Sequence, residues 1–556
     1  MKTNRILTIA VAALTLASCT SFLEVEPRDK FIDNPDFWGS ENMVATYCNG
    51  FYSSYKGYGQ DANGDFYFTS LSDDQCDPTF ENWTFTTVPG TSTQWSSHWT
   101  EIRRANYAIN GLTTSDMAPE KQAPYMAIAR LNRAYHSFEL VKRYGDVQWQ
   151  NKPVLSADPK DPYVQGIRED RDMIIDSVMN DIDYAIEHLA GSNKYVFNAD
   201  MALAMKADIC LYEGSYCKYR TAPDNDGHDA NLTRANKYFQ LCVDACEALM
   251  PNYTLNADYI TIYNSIDLSS NPEAIFARKY VKDALGHSVV DYCRGSTTQR
   301  GITKDAINAF LFLDGTDASA HPGEDKPELV AGNYTINTML AKRDGRLAIL
   351  VDSVLCFRGH TWSADPAAQL ADMTSSTGYT IHKYDNPALG DKTYRNEINK
   401  GYTDAPIYWL AVIYLNYAEA LKELGTGTNA QYNNSINKLL ERAGFPTYRI
   451  TASSSLDEIR RCRRCELMTD KGYRYWDLVR WHQLDKLATD THPDIVRGAY
   501  LQDVADLDAE VVLEGGYIRG IGTSANRTWD KKYYFYPIPS EQITLSNGAC
   551  KQNPGW

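Results

Sequence analysis

The segment RRCELMTDKGYRYWDLVRW, residues 463–481, decides how this chain is read. It joins two helical stretches. The first, SLDEIRRCRRCELMTDKG (455–472), opens on Ser455 with Glu458 three residues later. In that pattern a hydroxyl and a carboxylate close the first turn of a helix reciprocally. The second, YRYWDLVRWHQLDKL (473–487), follows directly. The run RRCRR (460–464) looks basic, but Asp457, Glu458 and Glu466 stand three or four residues away. That spacing predicts surface or half-buried ion pairs, not a patch for a polyanion. Cys462 and Cys465 have no companion CxxC or His set at zinc spacing, so they read as small buried hydrophobes.

Outward from this segment the helical period recurs. WTEIRRANYAINGL (99–112) places Ile102, Ala105 and Ile109 on one face. APYMAIARLNRAYHSFELVKRYG (123–145) and RDMIIDSVMNDIDYAIEHLAG (171–191) both stop at glycine. NADMALAMKADICLYEGSY (198–216) starts on an Asn or Asp cap, and LTRANKYFQLCVDACEALMP (232–251) ends at proline. PIYWLAVIYLNYAEALKELG (406–425) and AQYNNSINKLLERAG (430–444) complete the set. Helices in pairs, with small residues where they cross, predict an all-α body of irregular tetratricopeptide-like units. Between them lie long segments, 60–98, 217–231, 251–302, 314–334, 352–405 and 490–530, rich in Tyr, Trp, Asn, Asp, Gly and Ser. Loops of that length are usually functional.

A net charge of −16 argues against nucleic acid as a partner. Twelve cysteines, one of them Cys19, leave an odd number in the body, and mostly free thiols are expected. No GxSxG, HExxH or Walker A motif is present, and GTGTNA (425–430) follows a helix, not a strand. No cofactor and no metal centre is expected. DANGD (61–65) and DNDGHD (224–229) resemble calcium loops only loosely and read better as solvated turns. Aromatic residues are the remaining signal, with 38 Tyr and 11 Trp. Trp83 and Trp95 in ENWTFTTVPGTSTQWSSHW, Tyr292 in VVDYCRGST and Trp362 in RGHTWSAD stand beside amide or arginine donors. An aromatic face beside such donors suits a sugar ring, so these four are the candidate ligand-binding residues. Loop packing is the competing reading for each.

The N-terminus carries Lys2 and Arg5, an apolar run Ile6–Ala17, and then Leu-Ala-Ser-Cys ending at Cys19. The run is too short to span a bilayer and fits a signal peptide. The order matches a bacterial lipobox, so residues 1–18 are read as a signal peptide. Cys19 is read as the lipidation site, 19–30 as a tether and 31–556 as one body. The C-terminus, YYFYPIPSEQITLSNGACKQNPGW, has two prolines that fix an extended path and Asn-Pro-Gly that fixes a turn.

Taken together, SFLEVEP after the lipobox, WTEIRRANYAINGL, RAYHSFELVKRYGDV, YLNYAEALKELG, RRCELMTDKGYRYWDLVRW and YPIPSEQI…QNPGW resemble the SusD/RagB family of outer-membrane nutrient-binding lipoproteins of Bacteroidetes. One departure is local. Asp470-Lys471-Gly472 is one residue longer than the family's acidic-Gly step. The resemblance implies a non-catalytic protein, lipid-anchored to the outer membrane and facing the exterior. It would capture a glycan oligosaccharide or another nutrient and cover a SusC-like TonB-dependent transporter. It implies structural roles for Arg474–Trp481 and Tyr536–Trp556, and transfers no ligand contact. The rival readings are a surface glycoside hydrolase and a tetratricopeptide scaffold for protein partners.

Overall fold

The structure is a computed structural model that describes residues 34–67, 71–77, 82–154, 161–221, 227–294, 300–330, 333–357, 360–361, 375–390, 392–502, 511–520 and 526–556. Most of its long helices begin at side-chain caps. Ser92 accepts from the Trp95 amide and starts α1 (Thr93–Thr114). A proline starts α2 (Pro119–Tyr144), which stops at Gly145 with φ +70°. Asp170 caps α3 (Arg171–His188), Asn198 caps α4 (Ala199–Tyr219) and Asn231 caps α5 (Leu232–Leu249). Next come α6 (Leu410–Leu424), α7 (Leu456–Glu466) and α8 (Tyr473–Arg480). Each cap satisfies an amide that the helix itself leaves without a partner.

Consecutive helices pack as neighbours: α1 on α2, α2 on α3, α3 on α4, α4 on α5, and α5 on α6. This stepwise ladder is the expected tetratricopeptide-like body. At its centre α4 is buried along most of its length. Gly214 lets it approach α5, since a Cβ there would sit 2.6 Å from the Phe239 ring. Short antiparallel strands complete the body. β1 (Gln75–Cys76) pairs with β3 (Gly301–Ile302), and β2 (Ala274–Arg278) pairs with β4 (Ala405–Trp409). β5 (Arg497–Tyr500) and β6 (Leu513–Glu514) flank β7 (Tyr517–Arg519).

Some boundaries differ from the expected ones. Residues 405–409 form β4, not the first turn of α6, because the wholly buried run Ala-Pro-Ile-Tyr-Trp pairs with β2. A short apolar run has no period that separates strand from helix. The expected helix 430–444 breaks at Ser435 into Asn429–Asn433 and Ile436–Arg442. The expected helix 473–487 stops at Arg480, and His482 turns left-handed at φ +53°. GTGTNA is a helix-to-helix turn, with Gly425 closing α6 and Thr428 making a capping box with Gln431.

The segment 463–481 carries its charges into the core. Arg480 is held by both Glu419 oxygens at 2.7 Å, by Asp477 and by the Ser215 hydroxyl. Trp481 Nε1 donates to the same Glu419. Arg463 binds Asp477 and Asn416, and Glu466 takes both Arg346 and Arg442. Desolvating ions is costly, and only near-complete partnering offsets it. The pairs are therefore buried, where the sequence predicted surface or half-buried ones. The departure at Asp470-Lys471-Gly472 is accommodated by left-handed Thr469, Lys471 and Gly472. Asp470 is buried there under Lys383, Tyr263 and Tyr384. The capping box of Ser455 and Glu458 forms as expected.

The eleven described cysteines are buried thiols. Cys242 and Cys465 donate to the Asn416 and Ala309 carbonyls. The C-terminal turn locks onto the end of α2: Asn553 Nδ2 donates to the Tyr144 and Tyr536 carbonyls and its Oδ1 accepts from Arg168. Trp556 is half-buried, with Nε1 donating to Lys532 and Phe535.

Candidate ligand-binding face

Several irregular segments converge on one hub. The β1–β3 pair sits at its base. Ser376 donates to the Cys76 carbonyl at 2.6 Å, the Ile302 amide to Tyr379, and the Ala499 amide to Thr377 at 2.7 Å. Gly520 backs onto Cys76 Sγ. Two glycines permit this closeness, because a Cβ at Gly301 or Gly498 would collide with Thr377. The hub thus gathers chain from five separate regions, 75–77, 300–303, 375–381, 494–502 and 511–520.

Helices α7 and α8 grip the base of this hub. Arg474 binds Asp73 through both carboxylate oxygens at 2.7 Å, and Arg464 binds Asp74 at 2.7 Å and Asp305 at 2.8 Å. Thr303 donates its hydroxyl to the Asp73 carbonyl and its amide to Asp74. Burial opposes ionisation of Asp73, but Arg464 and then Arg474 overcome it and hold the carboxyl well below the usual range. Asp73 and Asp74 are buried and bound to arginine, so they do not form a solvent-facing acid–base pair for hydrolysis.

Above the base the polar groups reach the surface. Arg300 binds Asp77 at 2.8 Å and lies over the Tyr67 ring; both charged side chains are part-exposed. Along β5–β7 runs a ribbon of alternating charge, Lys304–Asp494–Arg497–Glu514–Arg519, with contacts of 2.6 to 3.0 Å. Burial works against the Asp494 charge, yet Lys304 and then Arg497 keep its carboxyl below the usual range. Tyr500 and Tyr517 meet edge to face at 5.3 Å, with Lys326 and Lys304 over their rings. Half-exposed aromatic rings beside fixed donors and acceptors are chemically suited to stack on and hydrogen-bond a hydroxylated ring.

The four aromatic candidates separate. Trp83 is 5% exposed, stacked on Tyr533 at 4.4 Å, with Nε1 donating to Thr528. Trp95 is 8% exposed and lies on α1, not in a loop, wedged between Tyr144 and Trp99. Both rings are covered by protein, which corrects the expectation that they offer a face to sugar. Tyr292 is half-buried on the short helix Val289–Arg294, outside the five regions of the hub. Trp362 lies outside the described residues, as does Cys19. Arg300, Asp77 and the Tyr500–Tyr517 pair escaped sequence reading, since only the pairing of distant segments brings them together. Among the described residues Asp146, Asp170 and His228 lie close enough to hold a cation, but Asp170 caps α3 and Asp146 accepts the Arg171 amide.

The architecture is a helical-ladder scaffold carrying a binding face built of loops. The model of the SusD family matches residues 272–556, and a model described as starch-binding, associating with the outer membrane, matches residues 21–211. The chain belongs to the SusD family. It is 25% identical over 515 residues to the SusD-like protein P25 of Formosa agariphila, covering 86% of this chain and 90% of that one. Its fold is that of a SusD-like carbohydrate-binding protein of Bacteroides fragilis (TM-score 0.69, 19% identity, 92% of this chain and 99% of that one). The surface glycan-binding protein A of Bacteroides fluxus shares the fold at a TM-score of 0.61 with 17% identity, covering 93% of this chain and all of the other.

Proposed function

We propose that this chain captures glycan oligosaccharides, or another nutrient, at the cell surface and delivers them to a partner SusC-like TonB-dependent transporter. Lipidated Cys19 would hold it on the outer membrane, facing outward. No step of this function needs catalysis or a cofactor. The observation that carries the reading is the hub. Five regions of chain are fixed at a common base while Arg300, Asp77 and the Tyr500–Tyr517 pair stand part-exposed above it. The carbohydrate-binding protein of Bacteroides fragilis and the surface glycan-binding protein of Bacteroides fluxus, which share the fold, support carbohydrate as the ligand class. Tyr292 and Trp362 remain the aromatic residues proposed to stack on it.

The test is a panel of soluble oligosaccharides read by calorimetry and by product analysis. Saturable binding without products is expected. Arg300→Ala should weaken that binding roughly tenfold or more, the scale of one lost charged hydrogen bond, with the melting temperature little changed. Released products would favour the hydrolase. Unaltered binding in Arg300→Ala would move the site off this face. For the transporter, mild detergent extraction of the tagged protein should recover a barrel partner. Recovery of the lipoprotein alone across several detergents would remove the delivery step.

A further inference from the structure

A second cavity, of about 180 Å³, lies among α2, α4, β4 and α8. None of its lining residues belongs to the hub, and nothing in this inference rests on the reading of that face. Its carboxylates are already engaged. Glu139 takes Lys142 at 2.5 Å and also Arg143. Asp208 takes the Tyr473 hydroxyl at 2.9 Å and Asn416 at 2.6 Å. Asp477 takes Arg463 and Arg480. Asp65 accepts the Gly57 amide, and burial raises its carboxyl toward the neutral form.

The donors are in surplus. The hydroxyls of Tyr55 and Tyr212 and the Nε of Arg143, on side chains that line this cavity, are buried without a hydrogen-bond partner. Tyr55 is 4% and Tyr212 6% exposed. The Lys471 ammonium donates to the Ile407 carbonyl at 2.7 Å. Among the described residues no carboxylate lies within ion-pair distance of it. Burial lowers its affinity for the proton more than the charges of Asp208, Asp65, Glu139 and Asp470, all beyond ion-pair distance, raise it. The left-handed turn at Lys471 directs this side chain inward over the Tyr408 ring, 4.5 Å away. Aromatic walls with a surplus of donors, two of them on cations and one of those cations already paired with Glu139, call for an acceptor-rich molecule bearing one negative charge and a ring. Lys142, Tyr473 and Trp476 in its lining are part-exposed.

We propose that this cavity binds a single-ring sugar acid, a hexuronate, with its carboxylate on Lys471 and its hydroxyls on Tyr55, Tyr212 and Arg143 Nε. The test is calorimetric titration of the full-length protein with sodium glucuronate, with glucose and sodium acetate as comparisons. Glucuronate should saturate one site, and glucose and acetate should each bind at least about tenfold more weakly, since each lacks half of the recognition. Lys471→Met should weaken glucuronate by a similar factor. If that variant fails to fold, Tyr55→Phe and Tyr212→Phe, which remove only the hydroxyls, should each weaken binding severalfold. Arg300→Ala, which alters the hub, should leave it unchanged. No saturable glucuronate binding at millimolar concentration would overturn the proposal, leaving a hydrated cavity. So would equal binding of glucose or acetate, wild-type affinity in the folded variants, or loss of binding in Arg300→Ala.

Discussion

Asp73→Asn isolates the link between the signature helices and the ligand face. The substitution keeps the shape and removes the charge. Arg474 then loses the carboxylate that holds both its nitrogens at 2.7 Å, while Arg464 keeps Asp74 and Asp305. The Asp73 side chain is 3% and the Arg474 side chain 12% exposed, so the pair is buried and solvent repays little. Removing one partner of such a pair costs about 3–5 kcal/mol. Spread over a chain of this length, that loss would shift the melting midpoint by only about 3–4 °C. It should instead appear locally, as easier opening of the segment that Asp73 anchors. At about 1.4 kcal/mol per decade, amide exchange at Ile302 and Thr303 should accelerate by roughly two to three orders of magnitude. Amides in the middle of α4 should not change. The pH dependence carries the same sign. The folded carboxyl lies below its unfolded value of about 3.9, so its stabilisation is fully present above that value. It fades as pH falls toward the depressed folded one. Hydrogen exchange with mass spectrometry is the assay. An unchanged rate at 302–303, or uniform acceleration across the chain, would refute the clamp.

Other outcomes are as specific. Trp83→Ala should lower unfolding stability by about 3–5 kcal/mol, the cost of emptying a buried aromatic site, and leave glycan affinity unchanged; denaturant titration and calorimetry would show otherwise if the ring serves the ligand. His136, buried and hydrogen-bonded to His98 and Ser54, is held neutral by burial, its pKa pushed down to about 3. The unfolded imidazole takes a proton near pH 6.5, so folding stability should fall as pH drops from 6.5 toward 5, and His136→Gln should flatten that decline in urea titrations; parallel curves would contradict it. Cys19→Ala should release the protein from outer-membrane fractions, and full retention would remove the anchor.

The helical ladder was legible because its signals are local: caps, glycine stops and a 3.6-residue period. β4 was not, since Ile407 to Trp409 continue an apolar run that only the pairing with β2 distinguishes from α6. The role of Arg480 was half legible. The resemblance implied a structural role for Arg474–Trp481, but Glu419 lies 61 residues away, beyond any periodicity. The ligand face was the least legible part. Tryptophan chemistry drew attention to Trp83 and Trp95, yet large rings serve packing as readily as recognition. Asp77 and Arg300 stand 223 residues apart, and no spacing rule joins them.

The grip of Arg464 and Arg474 on Asp73 and Asp74 separates two jobs in one chain. The fastening lies underneath, on helices whose own partners are buried ions, and asks nothing of the side chains that face outward. Chimeras spliced at the Cys76–Gly301 bridge would therefore inherit their solubility and folding from the ladder and their taste in sugars from the donor. On the proposed function the molecule would work as a socket with an interchangeable fitting, and a new diet would require only new fittings.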